Sequence, residues 1–396
     1  MSRSLRQIIF WTHLVVGVVA GIVIAIMCMT GAALAFEKEI VAWADRDLRI
    51  VTPNADGRAL SIEDAFAKVT EAHSDVKPTA AKISSDPAVG VLVSAGRANA
   101  FYVNQYTGAV SEPASPKVRA FMSAMIEWHR FLSLEGDGRA RGKMITGACN
   151  LGFLFLAISG IYLWWPRKWS RTALQSILLF NRQLTGKARD WNWHNVIGFW
   201  SAPVLIVLTA TALPISYRWA GDAIYKLTKT QPPAQGPGGG LRQNVGEPER
   251  ARERAVHGSP SIPAILEMAR KEVPSAEEIT VRSGGRGPLV LSVKEQNARP
   301  RFASIQLTLD AKTGAVVKRE TYADYNAGRK MRSWTRFLHT GEALGPIGQA
   351  LAGLASLGGA VLVWTGFALA LRRFFRKKNR FELATRTEPE LSEAAK

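Results

Sequence analysis

The sequence predicts an α-helical membrane protein with α+β extracytoplasmic domains, its four transmembrane helices forming two parallel repeats about a pseudo-twofold axis. Three observations predict it. Four apolar runs have bilayer length, basic residues crowd into the short segments between them, and an internal repeat runs through membrane and outer segments alike.

The apolar runs are Ile8 to Phe36, Met144 to Trp165, His194 to Ser216 and Pro346 to Leu371. Each supplies the roughly 17 to 25 residues that a helix needs to cross a bilayer. The first is long and flows on into a segment of mixed acidic and basic residues, so it reads as a retained anchor rather than a removed signal peptide. The net charge of +19 is unevenly spread: residues 1–12, 166–190 and 372–396 hold 16 Lys/Arg against 5 Asp/Glu, whereas residues 37–143 balance at 14 against 14. Residues 217–345 hold 21 against 13. By the positive-inside rule both termini and the middle loop are cytoplasmic and the two long segments lie outside. The basic runs adjoin spans, so topology accounts for them and nucleic acid is not an expected partner.

The expected divisions follow in order. A cytoplasmic N-terminus with the first span (1–36) leads to an outer domain (37–143), the second span (144–165), a cytoplasmic loop (166–193) and the third span (194–216). A second outer domain (217–345) with a Pro/Gly-rich loop at 231–260 precedes the fourth span (346–371) and a basic cytoplasmic tail (372–396).

The outer segments resemble each other. An amphipathic helical pattern opens each, at Ser61-Ile62-Glu63 and Ser261-Ile262-Pro263, and strand-like alternation closes on Thr107-Gly108-Ala109-Val110 and Thr313-Gly314-Ala315-Val316. The repeat extends into the membrane, where His13-Leu14-Val15-Val16-Gly17 matches His194-Asn195-Val196-Ile197-Gly198 and, 17 residues on, Thr30 matches Thr211. Arg130-Phe131-Leu132 likewise matches Arg336-Phe337-Leu338, and Ser159-Gly160 matches Thr365-Gly366. The chain is helix, outer domain, helix, twice over. Because both halves enter from the same side, the pseudo-twofold should run along the membrane normal.

Four of the six histidines, His13, His129, His194 and His339, sit at span edges. A single such residue reads as an interface anchor; four, two of them in repeat register, point to ligands. A planar iron macrocycle needs two axial ligands on opposite faces, which imidazoles from facing helices provide. The expectation is two b-type haems, one held by His13 and His194 near the cytoplasmic side and one by His129 and His339 near the outer side. The second pairing is offset, since aligning Arg130 with Arg336 sets His129 against Thr335, and a cross-leaflet pairing competes with it. Cys28 and Cys149, the two cysteines, both lie in spans and form no C-x-x-C-H, so any haem is non-covalent.

Haem carboxylates need cationic partners, for which Arg130, Arg332 and Arg336 are placed at the outer site and Arg189 or Lys187 at the inner one. Trp191, Trp193, Phe199 and Trp200 read either as a macrocycle wall or as an interface belt. Tyr217, Arg218 and Tyr325 are candidates for a substrate surface. Met27-Cys28-Met29 suggests copper, but packing accounts for it better. No dinucleotide fingerprint, Ser/His/Asp set or His-Glu-x-x-His motif is visible.

Over about residues 5 to 375 the chain resembles the PepSY-associated transmembrane family. The resemblance is carried by the His-containing first helix, Trp128-His129-Arg130, His339-Thr340-Gly341-Glu342 and the Ser/Thr-Gly pairs. Within that family it is similar to the inner-membrane ferric-siderophore reductases of the ferrioxamine type. That resemblance implies a PepSY-like domain in each outer segment, two haems on His13, His129, His194 and His339, and electron flow outward across a bacterial inner membrane. It also implies an oxidoreductase acting on a metal ion, reducing periplasmic Fe(III) in a hydroxamate-type siderophore and releasing Fe(II), which the hard hydroxamate oxygens suit poorly. With no nicotinamide or flavin motif, a quinol or a separate reductase must be the donor; the other partner is membrane lipid. The competing class is a membrane-anchored PepSY protein that binds a peptide or protease without redox activity. A transporter is disfavoured because no span carries a charge at its centre.

Overall fold

The computed structural model describes residues 3–53, 60–166, 170–233, 261–282, 289–310 and 315–393, with the last eighteen of these described by backbone alone. Most of the 231–260 loop, the Thr313-Gly314 turn and the side chains of the basic tail from residue 376 on therefore lie outside the described residues. In chain order the helices begin with α1 (Arg3–Leu34), α2 (Glu37–Ala44) and α3 (Ile62–Ala72), followed by strands β1 (Ala80–Ser84), β2 (Val91–Ala95) and β3 (Asn99–Val103). Helices α4 (Pro116–Phe131), α5 (Gly138–Trp164), α6 (Arg171–Leu178), α7 (Gly186–Ser216), α8 (Arg218–Leu227) and α9 (Ile262–Glu272) come next. Strands β4 (Ala276–Arg282), β5 (Leu289–Glu295), β6 (Ile305–Leu309) and β7 (Val316–Glu320) precede α10 (Ala327–His339) and α11 (Gly345–Glu393).

The chain divides into two compact units, one of residues 1–35, 125–220 and 338–396 and the other of residues 36–124 and 221–337. The first holds four helices long and apolar enough to cross a membrane: Ser4–Leu34, Gly138–Trp164, Gly186–Ser216 and Glu342–Phe375. Each packs on two neighbours, α1 and α7 both against α5 and α11, so the four close into a ring. Ile24, Cys28, Phe153, Ala157, Leu205 and Ala355 form its buried apolar layer. Cys28 is buried, where the Cβ that Gly359 lacks would meet its sulfur at 2.7 Å; it packs the bundle, as expected.

These helices extend beyond the apolar runs. Helix α7 starts at Gly186 and carries buried Asp190 and Asn192 in its opening turns, so His194 lies more than two turns inside the helix rather than at its edge. Partners from elsewhere explain the extension. Arg372 lies 3.0 Å from Asp190, and the Asn192 amide donates to the carbonyls of Ser176 and Leu179, which bracket the end of α6. At the same end Arg6 donates to the Leu163 carbonyl at 2.7 Å, satisfying the last turn of α5.

The second unit is one seven-stranded antiparallel sheet in the order β3-β2-β1-β4-β5-β6-β7. Strand β1 pairs with β4 in the register Ala81↔Val281 and Ile83↔Ile279, which joins the two expected outer domains edge to edge. Pairing these two strands with each other removes two open sheet edges. One face carries the alternating core residues Ala81, Ile83, Val91, Val93, Ile279, Val281, Leu291, Val293 and Leu307, and α3 and α9 cover it with Ile62, Ala65, Val69, Ile262, Ile265 and Ala269. Both helices start on a serine N-cap, Ser61 and Ser261, as the repeated sequence predicts. Asp45, at the end of α2, is buried against Arg119 of α4, and burial together with that carboxylate pushes the Tyr102 hydroxyl up to about 12.

Candidate functional site

The four span-edge histidines all belong to the helical unit, but they arrive on different kinds of element. His13 and His194 are carried by α1 and α7, diagonal members of the ring. His129 and His339 end the shorter helices α4 and α10, which stop where the chain turns back. After His129 the turn uses Leu132 and Ser133 at φ 53° and 55°, and after His339 it uses Gly341 and Gly345 at 77° and 64°. Close contact fixes both reversals: a Cβ on Gly142 would lie 2.0 Å from the Phe131 carbonyl oxygen, and one on Gly348 would lie 2.2 Å from that of Gly341.

Every one of the four rings is held through Nδ1. His13 meets the Ser159 hydroxyl at 2.8 Å, His194 the Thr365 hydroxyl at 2.9 Å, His129 the Thr30 hydroxyl at 3.0 Å and His339 the Leu208 carbonyl at 2.9 Å. A carbonyl only accepts, so His339 carries its proton on Nδ1. The hydroxyls lead to the same result. Ser159 donates to Phe155 at 2.6 Å, Thr365 to Val361 at 2.8 Å and Thr30 to Ile26 at 2.7 Å, each a carbonyl one turn back. With its proton spent on its own helix, each hydroxyl can only accept from the imidazole. In this arrangement Nε2 is the unprotonated nitrogen of each ring.

The structure brings His129 and His339 together, their ring centroids 6.3 Å apart with planes at 55°. Two metal–nitrogen bonds of about 2 Å, with about 1 Å from each nitrogen to its ring centre, would span about 6 Å. His13 and His194 stand on the diagonal helices α1 and α7, each held by a hydroxyl of a neighbouring span. Burial pushes the His129 imidazole down to about 4, with neighbouring His339 adding to the effect, and burial moves His339 in the same direction. Both are neutral at physiological pH, the state in which an imidazole ligates. Among the described residues no group of three or more His, Cys, Asp or Glu side chains could chelate a bare ion.

These residues would fit a haem. Among the described residues the Tyr162 hydroxyl is buried without a partner on α5, three residues beyond Ser159, and a bound group with acceptor atoms would satisfy it. Arg130 is exposed with its guanidinium 5.1 Å over the Phe131 ring, and Arg336 similarly lies 5.5 Å over Phe337. Arg332 is exposed one turn before Arg336 on α10. Arg189 is committed to Asp190 at 2.9 Å. Phe199 stacks on Trp164 at 4.4 Å, Trp193 meets Phe180 edge-on, and Trp200 donates to the Leu178 carbonyl. Of the suggested substrate residues, Tyr325 stacks under Arg329 at 3.4 Å, and the Tyr217 hydroxyl lies against Gly147.

Sequence reasoning paired the Ser/Thr-Gly motifs by register without giving them a task, and it passed over the Leu208 carbonyl. The available signal was the recurrence of a hydroxyl residue followed by glycine at 30–31, 159–160 and 365–366 inside apolar spans. Comparison with known families matches residues 10–373 to the PepSY-associated TM region. No curated protein matches the chain.

Proposed function

Because the chain belongs to the PepSY-associated transmembrane family, we propose that it is a haem protein of a bacterial inner membrane that carries electrons outward and reduces siderophore-bound Fe(III). The observation that carries this reading is the set of four imidazoles anchored through Nδ1, two of them, His129 and His339, ring to ring. When bound, haem supplies a one-electron Fe(III)/Fe(II) couple.

The chain's own residues would divide the work. His13 and His194 hold one b-type haem and His129 and His339 the other, with both termini on the cytoplasmic side. The 17 residues from His13 to Thr30 rise about 25 Å along a helix, so two stations share a distance that one could not cover. The layer of Ile24, Cys28, Phe153, Leu205 and Ala355 excludes water between them. Arg130 would supply a cation for a haem carboxylate, and the net positive 217–345 segment suits an anionic or chelate-bearing substrate. A quinol releasing two electrons and two protons would reduce two ferric centres in succession; a separate reductase could stand in for it. The corresponding roles of α1 and α7, and of α5 and α11, support the pseudo-twofold repeat.

The test uses the purified full-length chain, expressed with adequate haem. The expected result is a Soret band that shifts on dithionite reduction, two haems per chain, and reoxidation by a ferric hydroxamate with Fe(II) trapped by a chelator. A colourless protein overturns the reading. A haem protein that a ferric hydroxamate fails to reoxidise keeps the cofactor and loses the substrate.

A further inference from the structure

Thr146 of the Thr146-Gly147 pair donates to the Arg130 carbonyl, whereas Thr30-Gly31, Ser159-Gly160 and Thr365-Gly366 form a recurring socket. In each, the hydroxyl accepts from a histidine Nδ1 while the following glycine faces the same ring's Cε1. A Cβ on Gly160 would lie 3.6 Å from Cε1 of His13, one on Gly366 3.5 Å from that of His194, and one on Gly31 3.2 Å from that of His129. One dipeptide thus fixes the ring's proton and lets the ring sit close to the neighbouring helix. Three occurrences on three different spans, each serving a different histidine, exceed what helix packing alone requires.

Resting on the haem reading above, we infer that Ser159, Thr365 and Thr30 are positioning residues that set the imidazole tautomer and tune the potential of the iron each histidine would bind. The reasoning is electrostatic. A hydrogen bond from Nδ1–H makes the ring a better donor through Nε2, which favours the ferric state and lowers the potential. Without an acceptor at Nδ1, the proton can move to Nε2 and remove the ligand atom altogether. The hydroxyl is suited to the task because its own proton is tied to the carbonyl one turn back, so it cannot reverse the direction of the bond.

His339 is the exception that gives the inference a contrast. The register position matching Thr30-Gly31 is Thr211-Ala212. Thr211 donates to the Val207 carbonyl at 2.6 Å and does not meet an imidazole; His339 uses the Leu208 carbonyl instead. The His129–His339 pair therefore has one acceptor that mutation can remove and one built into the backbone.

The experiment compares the full-length wild type with Ser159→Ala, Thr365→Val, Thr30→Val and Thr211→Val, reading haem retention, midpoint potentials and the low-spin ferric spectrum. Thr→Val keeps side-chain shape while removing the acceptor. Ser159→Ala and Thr365→Val should raise the potential of one and the same haem and weaken its retention about 10- to 100-fold. Thr30→Val should act on the other haem, and Thr211→Val on neither. Ser159→Thr and Thr365→Ser should restore wild-type values, which separates lost hydrogen bonding from misfolding. Variants with wild-type potentials and retention overturn this inference alone. A wild type that takes up no haem overturns it together with the reading it rests on.

Discussion

The two histidine pairs are built by opposite means. His13 and His194 sit inside long spans and lean on hydroxyls of adjacent spans, His13 from α1 onto α5 and His194 from α7 onto α11. His129 and His339 sit on the last residues of short helices, held by a hydroxyl on α1 and a carbonyl on α7. The first pair is part of the bundle's framework. The second is brought to the bundle by α4 and α10, helices that also carry residues of the sheet-bearing unit. Under the proposed function, an electron station that stays fixed and one that meets a substrate would place different demands on their supports.

The strongest test of the contrast is loss of ligands. His13→Ala and His194→Ala should each abolish the same haem and leave the other with its spectrum intact. His129→Ala and His339→Ala should do the converse, ending ferric-hydroxamate reduction while dithionite still reduces the remaining haem. Quantifying haem per chain in the four variants decides it. If His13→Ala and His194→Ala deplete different haems, the pairing is crossed and the contrast collapses.

A subtler expectation concerns the glycines. At 3.2 Å, the Cβ introduced by Gly31→Ala must displace the His129 ring by a few tenths of an ångström, whereas Gly160→Ala and Gly366→Ala introduce ordinary contacts at 3.6 and 3.5 Å. Gly31→Ala should therefore broaden or shift the bands of its haem, and the other two should leave spectra near wild type. Equal perturbation by all three would mean that the span-borne pair is no more tolerant than the connector-borne one.

Much of this arrangement was legible in the sequence, for identifiable reasons. Apolar runs announce spans because lipid admits no other composition, and the register-matched residues make matching contacts, His13 with Ser159 and His194 with Thr365. Helix ends were not legible: Asp190 and Asn192 look like loop residues, and Arg372, distant in sequence, together with the carbonyls at the end of α6 partners them in the helix. Nor was the β1–β4 pairing, which joins segments about two hundred residues apart and leaves no local pattern. The offset of His339 becomes intelligible only in three dimensions. His339 stands four residues later than the match to His129, and its acceptor, Leu208, stands three residues earlier than Thr211, the match to Thr30. Ligand and acceptor have each moved one turn, in opposite chain directions, so the contact is preserved.

The smallest expected effect separates what holds the helices from what holds the rings. Around the bundle the four interfaces alternate: His13–Ser159 joins α1 to α5, and the Asn150 amide donates to the Thr209 carbonyl at 2.9 Å between α5 and α7. His194–Thr365 joins α7 to α11, and the Gln349 amide donates at 2.9 Å to the carbonyl of Ala35, just past the end of α1. Polar contacts of this kind inside a membrane bundle are worth about 0.6 kcal/mol on average, up to about 1.7. Asn150→Ala should lower thermal stability by an amount in that range and leave both haem potentials unchanged. Ser159→Ala, removing one hydrogen bond of similar strength from the neighbouring interface, should cost about as much stability and shift one potential. If Asn150→Ala moves a potential as far as Ser159→Ala does, the hydroxyls act by holding helices together, and the distinction between framework and ligand support at the span-borne pair is lost.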